Sequence, residues 1–188
     1  SDAVTEAVLD LISGSNPEHA ISVLTRSGFS PDCSYLAYCI NTDGPEQEKQ
    51  RFETAVKLEL KIHFPGSHVC RFQEDILVIL PGSGNPEHNT SEAGTPAELS
   101  DAVRKLARHL SRSFPRRSIR SGLGSASELR DFPQSFSQAR SALAACTAAG
   151  EIFRAFDDLG FYKILFSVSD RNILDNYLAG KAGPRDRI

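Results

Sequence analysis

The chain has 188 residues, 40% of them hydrophobic and 24% charged, with a formal net charge of −3. This is an ordinary globular mixture, long enough for one domain with its own core, and its charge gives no general pull toward nucleic acid. No apolar run approaches the roughly 20 residues that a membrane helix needs, and no secretory leader is visible, so no membrane contact and a cytoplasmic location are expected. There is no Met, which suggests a piece of a longer protein. The four cysteines, Cys33, Cys39, Cys70 and Cys146, form no C-x-x-C pair and have no His at ligand spacing. They read as free thiols.

Residues 2–13 place Val4, Ala7, Val8, Leu11 and Ile12 on one helical face, with Gly14 as the stop. Asn16 and Pro17 read as an N-cap and a first-turn Pro, opening a helix that carries Ala20, Ile21 and Leu24 and ends at Gly28. Tyr35 to Ile40 is short, apolar and bounded by turn residues, the pattern of a central strand. A helix follows from Glu46 to Phe64, with Phe52, Val56 and Leu60 every fourth residue and Pro65-Gly66 as the stop. His68 to Phe72 and Ile76 to Leu80 are two runs of strand formers around a polar turn, a β-hairpin. Pro81 to Gly94 is a Gly-, Ser-, Asn- and Pro-rich surface loop.

Thr95 and Glu98 make a capping box before a helix with Leu99, Val103, Leu106, Leu110 and Phe114 on one stripe. Ser118 to Gly124 is a further strand. Asp131 is expected to cap a helix whose stripe is Phe132, Phe136, Ala139, Leu143 and Cys146, closed by Gly150. Ile152 to Phe156 is the last strand, and Phe161–Val168 and Arg171–Leu178 read as closing helices. The order from Tyr35 is strand, helix, hairpin, helix, strand, helix, strand. It predicts an α/β (α+β sandwich) fold with a ferredoxin-like βαββαβ core, the plan also used by nucleotide cyclase domains, framed by N-terminal and C-terminal helices.

The hairpin Arg71-Phe72-Gln73-Glu74-Asp75-Ile76-Leu77 resembles the one that names the GGDEF domains, the diguanylate cyclases. In that pattern Gln73 and Glu74 stand where the glycines would be, and Ile76 stands where the metal-linked Glu would be. The resemblance implies the fold and argues against the chemistry. Three further segments resemble the central, GGDEF-like domain of PucR/CdaR-type bacterial transcription regulators. They are Leu123-Gly124-Ser125, the run Ser135-Phe136-Ser137-Gln138-Ala139-Arg140-Ser141-Ala142-Leu143, and Asp158-Leu159-Gly160-Phe161-Tyr162-Lys163-Ile164-Leu165. The opening Leu9 to Gly14 and Gly28-Phe29 is similar to that family's lead-in, so the resemblance spans about residues 4–180. It implies a C-terminal helix-turn-helix beyond this chain. It also implies a division into a helical lead-in at 1–30, the GGDEF-like domain at 31–168, and a helix and linker at 169–188.

A working cyclase needs carboxylates to hold two metal ions, and glycines that let the backbone approach the nucleotide. Asp43 and Asp75 remain as carboxylates, but the first strand ends Ile40-Asn41-Thr42-Asp43, without the Asp-x-Asp of active relatives. No G-x-S-x-G elbow occurs, and Gly82-Ser83-Gly84 lacks a helix start in the right place for a phosphate cradle. The five histidines, His19, His63, His68, His88 and His109, make no i,i+4 pair with one another. No catalytic residue, cofactor or metal site is therefore expected.

Arg104, Arg108 and Arg112 fall on one helix stripe, followed by Arg116, Arg117 and Arg120. They read either as a solvated face or as a surface for an acidic partner, a phosphorylated ligand or DNA. Val4, Val8, Leu11 and Ile12 either cap the core or form a seam with a second copy. The expected role is a non-catalytic signalling or dimerisation domain. Such a module forms a homodimer and touches DNA only through the C-terminal unit. Phe136, Ala139 and Leu143 would seat a helix on the sheet, and Leu159, Gly160 and Tyr162 would turn the chain toward that unit. The alternative is a sensor that binds a small-molecule effector, a nucleotide or an organic acid, near the hairpin.

Overall fold

The computed structural model describes residues 2–82 and 94–160. Among these, five α-helices and a six-stranded mixed sheet form one layered unit. The elements are α1 (Asp2–Ser13), α2 (Pro17–Arg26), β1 (Ser34–Asp43), α3 (Glu46–His63), β2 (His68–Phe72), β3 (Asp75–Pro81), α4 (Pro96–Ser113), β4 (Ser118–Leu123), β5 (Ser127–Glu128), α5 (Phe132–Ala149) and β6 (Phe153–Ala155). The expected surface loop lies outside the described residues over 83–93, as do both closing helices, and with them Tyr162.

The main path of the sheet runs β2-β3-β1-β4-β6, and β5 pairs with β1. β1 is antiparallel to β3 and to β4, β2 is antiparallel to β3, and β4 is parallel to β6. The four strands β4-β1-β3-β2 with α3 and α4 reproduce the ferredoxin-like order. Helix α5 then crosses over to bring β6 parallel to β4.

Alternation along the strands sorts the core into two layers. Leu36, Tyr38 and Ile40 of β1 join Ile76, Val78 and Leu80 of β3 beneath α3 and α4. Tyr35, Ala37 and Cys39 join Leu77 and Ile79 against α1, α2 and α5. A strand buried on both faces reads as a continuous apolar run, which is why Tyr35 to Ile40 shows no alternation. Val4, Val8 and Leu11 are buried in the second layer and Ile12 packs against it, so this face of α1 caps the core of its own chain. Thr5 Oγ1 also lies 3.2 Å from His68 Nε2, tying α1 to the edge strand β2.

Most local expectations hold. Asn16 caps α2, its Oδ1 accepting from the His19 amide at 3.4 Å. Thr95 and Glu98 make both bonds of the capping box. Gly150 ends α5 with φ 69°, a left-handed stop.

Two details differ. β1 continues past Ile40, because Asn41, Thr42 and Asp43 stay in register with Arg120, Ile119 and Ser118; backbone pairing extends the strand where apolar side chains stop. Asp131 stands at the N-cap of α5 but makes no side-chain capping bond. A 3-10 turn, Leu129–Asp131, leads directly into the helix, and Asp131 takes φ −96°, ψ 10° rather than the extended backbone from which a capping side chain reaches forward.

Candidate functional site

The hairpin turns at Gln73 and Glu74, both exposed. Gln73 has φ 54°, a left-handed backbone that costs a residue with a Cβ roughly 1–2 kcal/mol. The turn therefore keeps a shape suited to glycine while a long side chain occupies the space beside it. Asp75 opens β3, and its Oδ1 accepts a hydrogen bond from Asn41 Nδ2 at 2.8 Å. Ile76 and Leu77 are buried, Ile76 in the layer under α3 and α4, Leu77 in the layer under α5. Both flanks of the ribbon are braced. Arg71 is ion-paired with Glu53 of α3. Phe72 meets Phe136 of α5 edge-on at 4.8 Å between ring centres, and the Arg140 guanidinium lies 5.3 Å from the centre of the Phe72 ring.

This donor set does not fit a pair of metal ions holding a triphosphate. Of the carboxylates near this end of the sheet, Asp75 is engaged by Asn41, Glu53 is paired with Arg71, and Glu74 is exposed at the turn. The position after Asp75 is an aliphatic side chain turned into the core. Among the described residues, no group of three or more His, Cys, Asp or Glu is arranged to hold a metal. The recess of about 30 Å³ lined by Leu36, Leu99, Leu123, Ala155 and Asp157 sits at the other end of β1. It has room for a water or two.

The six arginines do not form one face. Arg117 is buried: its Nε donates to Thr42 Oγ1 at 3.0 Å, an Nη donates to the Pro45 carbonyl at 2.8 Å, and the guanidinium lies over Phe52. It braces the turn between β1 and α3. Arg104 lies over Phe153 and reaches Asp158 at 3.4 Å. Arg116 stands 3.8 Å from Glu48, and Arg120 donates to the Glu151 carbonyl. Arg108 and Arg112 are exposed and form no ion pair among the described residues.

The most constrained region was not marked as a site by sequence reasoning. A Cβ on Gly122 would lie 2.3 Å from the Ala139 carbonyl oxygen, and one on Gly124 would lie 2.1 Å from that of Ser135. Helix α5 therefore rests backbone-to-backbone on β4. Polar bonds fasten the contact. The Ala37 amide donates to Ser135 Oγ at 2.9 Å, and the Gly124 amide donates to the Ala37 carbonyl at 2.9 Å. The Ser125 amide donates to Gln138 Oε1 at 2.9 Å, and its hydroxyl donates to Asp157 at 2.6 Å. On the other face the Tyr38 hydroxyl donates to Ser121 Oγ, which donates to the Ile152 carbonyl. Phe136, Ala139 and Leu143 are buried against the sheet as expected. Two glycines in one strand were the available sign, since an interior strand Gly often marks a close backbone approach.

Burial sets the titration of this interior. It pushes the Tyr38 phenol and the Cys39 thiol far up, and the Cys70 thiol up to about 11. The buried thiols therefore stay neutral and are poor nucleophiles at neutral pH.

The model of the GGDEF-like domain family matches residues 13–145. The chain belongs to this family. The match takes in the hairpin, Gly122, Gly124 and most of α5. Among solved structures, the chain is similar to a regulator of polyketide synthase expression from Bifidobacterium adolescentis. The identity is 14% and the TM-score 0.46, covering 78% of this chain and 54% of that one. The GGDEF-like domain thus spans about half the length of that regulator. No curated protein matches the chain. Among the described residues, no helix is long and apolar enough to cross a membrane.

Proposed function

We propose that this GGDEF-like domain is the non-catalytic central module of a cytoplasmic bacterial transcription regulator of the PucR/CdaR type. It works as a homodimer and passes an upstream signal to a C-terminal helix-turn-helix, the only part that touches DNA. In this reading residues 1–30 are the lead-in, 31–168 the domain proper and 169–188 the connection onward.

The observation that carries the reading is the hairpin. Its Asp75 is held by Asn41, its next residue is core, and its turn bears Gln73 and Glu74 in place of small residues. Gly122 and Gly124, whose missing side chains would strike backbone, stand instead under α5, where they serve packing. The route onward is also secured: Asp157 is bonded to Ser125 and Asp158 to Arg104, just before Leu159, which is buried, and Gly160, with φ 57°. A segment tied to α4 and to the turn that follows β4 is suited to transmit a shift of either, provided a ligand binds one arrangement more tightly than the other.

Two measurements test this. The chain incubated with GTP and Mg²⁺ is expected to yield no cyclic dinucleotide by chromatography; product formation would overturn the non-catalytic reading. A full-length regulator containing this domain and carrying Asp158→Ala is expected to alter expression from its target promoter while its fold, followed by circular dichroism, is unchanged. Unaltered regulation would remove the relay role.

A further inference from the structure

Leu58, 55% exposed, and Ile62, 60% exposed, are the large hydrophobic side chains left in solvent among the described residues. They stand one turn apart on α3, whose remaining apolar stripe of Phe52, Val56 and Leu60 is fully spent in the core. Solvent-exposed aliphatic pairs on a helix otherwise rich in charge cost free energy unless something covers them.

Their neighbours across the groove are basic. Glu59 of α3 lies 3.4 Å from His109 of α4 and 3.3 Å from His63, which fixes how the two helices sit side by side. Residues three or four apart share a helix face. The helices run antiparallel, since Glu48 reaches Arg116 and Glu59 reaches His109; Ile62, one turn after Glu59, therefore falls on the Lys105 side of His109, and Arg112 lies about a turn back along α3. Lys105, Arg108, Arg112 and Lys61 are exposed and form no ion pair among the described residues. The acids of this face are Asp101 and Glu59, the latter occupied by the two histidines. In a chain of net charge −3, an apolar pair rimmed by four unpaired cations is a local reversal of sign.

We infer that the α3–α4 face of this domain is a docking surface for an acidic amphipathic helix of a partner protein. Leu58 and Ile62 receive its apolar side chains, and Lys61, Lys105, Arg108 and Arg112 receive its carboxylates. A second copy of this chain is disfavoured as occupant, because a two-fold pairing of this face would set its cations against one another. A nucleic-acid backbone is disfavoured because phosphates gain nothing from two aliphatic side chains at the centre of the patch, whereas a helix laid in a groove uses such anchors at a spacing of one turn. The inference stands independently of the regulatory reading.

The test uses the 188-residue chain and fluorescence anisotropy at about 150 mM salt, where weak surface attraction is screened. The probe is a synthetic helical peptide with leucines at steps of three and four and glutamates elsewhere. Its lysine-for-glutamate counterpart and a short DNA duplex serve as comparisons. Saturable micromolar binding of the acidic peptide is expected, weakened about tenfold or more both by Leu58→Ser with Ile62→Ser and by Arg108→Glu with Arg112→Glu. These side chains are exposed, and unchanged thermal melts would establish that the variants fold. The inference is overturned by absence of saturable binding, by indifference to the Leu58 and Ile62 changes, or by equal binding of the duplex or the basic peptide.

Discussion

The α5–β4 clamp and the tip of the β2–β3 hairpin lie on one sheet, yet they are built on opposite principles. At the clamp, Gly122 and Gly124 leave no space for a side chain, and the backbone of β1 and of Gly124-Ser125, just past β4, bonds directly to Ser135, Gln138 and each other. At the tip, Gln73 holds a left-handed turn in solvent and Asp75 accepts a side-chain bond from Asn41. Close approach in this molecule is used for packing, where a misplaced atom has nowhere to go. The ribbon tip tolerates side chains because water, and not protein, lies beyond it. The comparison teaches that a family resemblance centred on a hairpin can have its strictest physical constraints on a helix some fifty residues later.

The widest gap between the two regions should appear with a single added carbon. Gly124→Ala is expected to cost about 3 kcal/mol or more, because its Cβ meets backbone that cannot swing aside. Urea unfolding would read the loss, and a midpoint equal to the parent's would break the clamp argument. Next in size, Ser135→Ala strands the Ala37 amide inside the protein and should cost about 1–3 kcal/mol, whereas Asn41→Ala, beside part-exposed Asp75, should cost under about 1 kcal/mol. Equal losses in the two variants would erase the distinction.

Alkaline pH should weaken the interior before it affects the tip. Burial raises the Cys70 thiol from 9.0 to about 11, so across that window the unfolded chain has released a proton that the folded chain still holds. The unfolded state then binds fewer protons, and stability falls as pH rises through the window. Cys39 and Tyr38 act in the same direction. Denaturant midpoints at about pH 8 and about pH 10.5 would show the decline, and a flat profile would mean the thiols are wetter than their burial implies. The smallest expected effect is Gln73→Gly, a gain of about 0.5 kcal/mol as relief of the left-handed strain slightly outweighs glycine's extra freedom when unfolded. A measurable loss would show that the Gln73 side chain is doing something the structure does not reveal.

Much of this fold was legible from periodicity and punctuation. Phe52, Val56 and Leu60 announced the buried stripe of α3, Thr95 and Glu98 the start of α4, and the polar residues between Phe72 and Ile76 the hairpin. Each depends on neighbours within about a turn of helix or strand, the range over which local sequence controls backbone shape. The two-residue β5 was too short to show a pattern, and Asp131 was misleading because the 3-10 turn before it set its backbone. Arg117 looked like a member of a surface stripe; its partners Thr42 and Pro45 are remote in the chain, and nothing near it in sequence marks it as buried.

By itself, then, the order of residues determined which segments become helices and strands, where several of them stop, and that the hairpin lacks the carboxylate and glycines of the cyclase pattern. Only the tertiary structure decided which arginines are consumed and which are left facing water, that Gly122 and Gly124 lie against α5, and that Leu58 and Ile62 are left uncovered near exposed cations. The physical reason is range. A backbone's preference is written within a few residues, but the partner of a long polar side chain, or the atom a missing Cβ would strike, comes from whatever distant segment the packed core brings alongside.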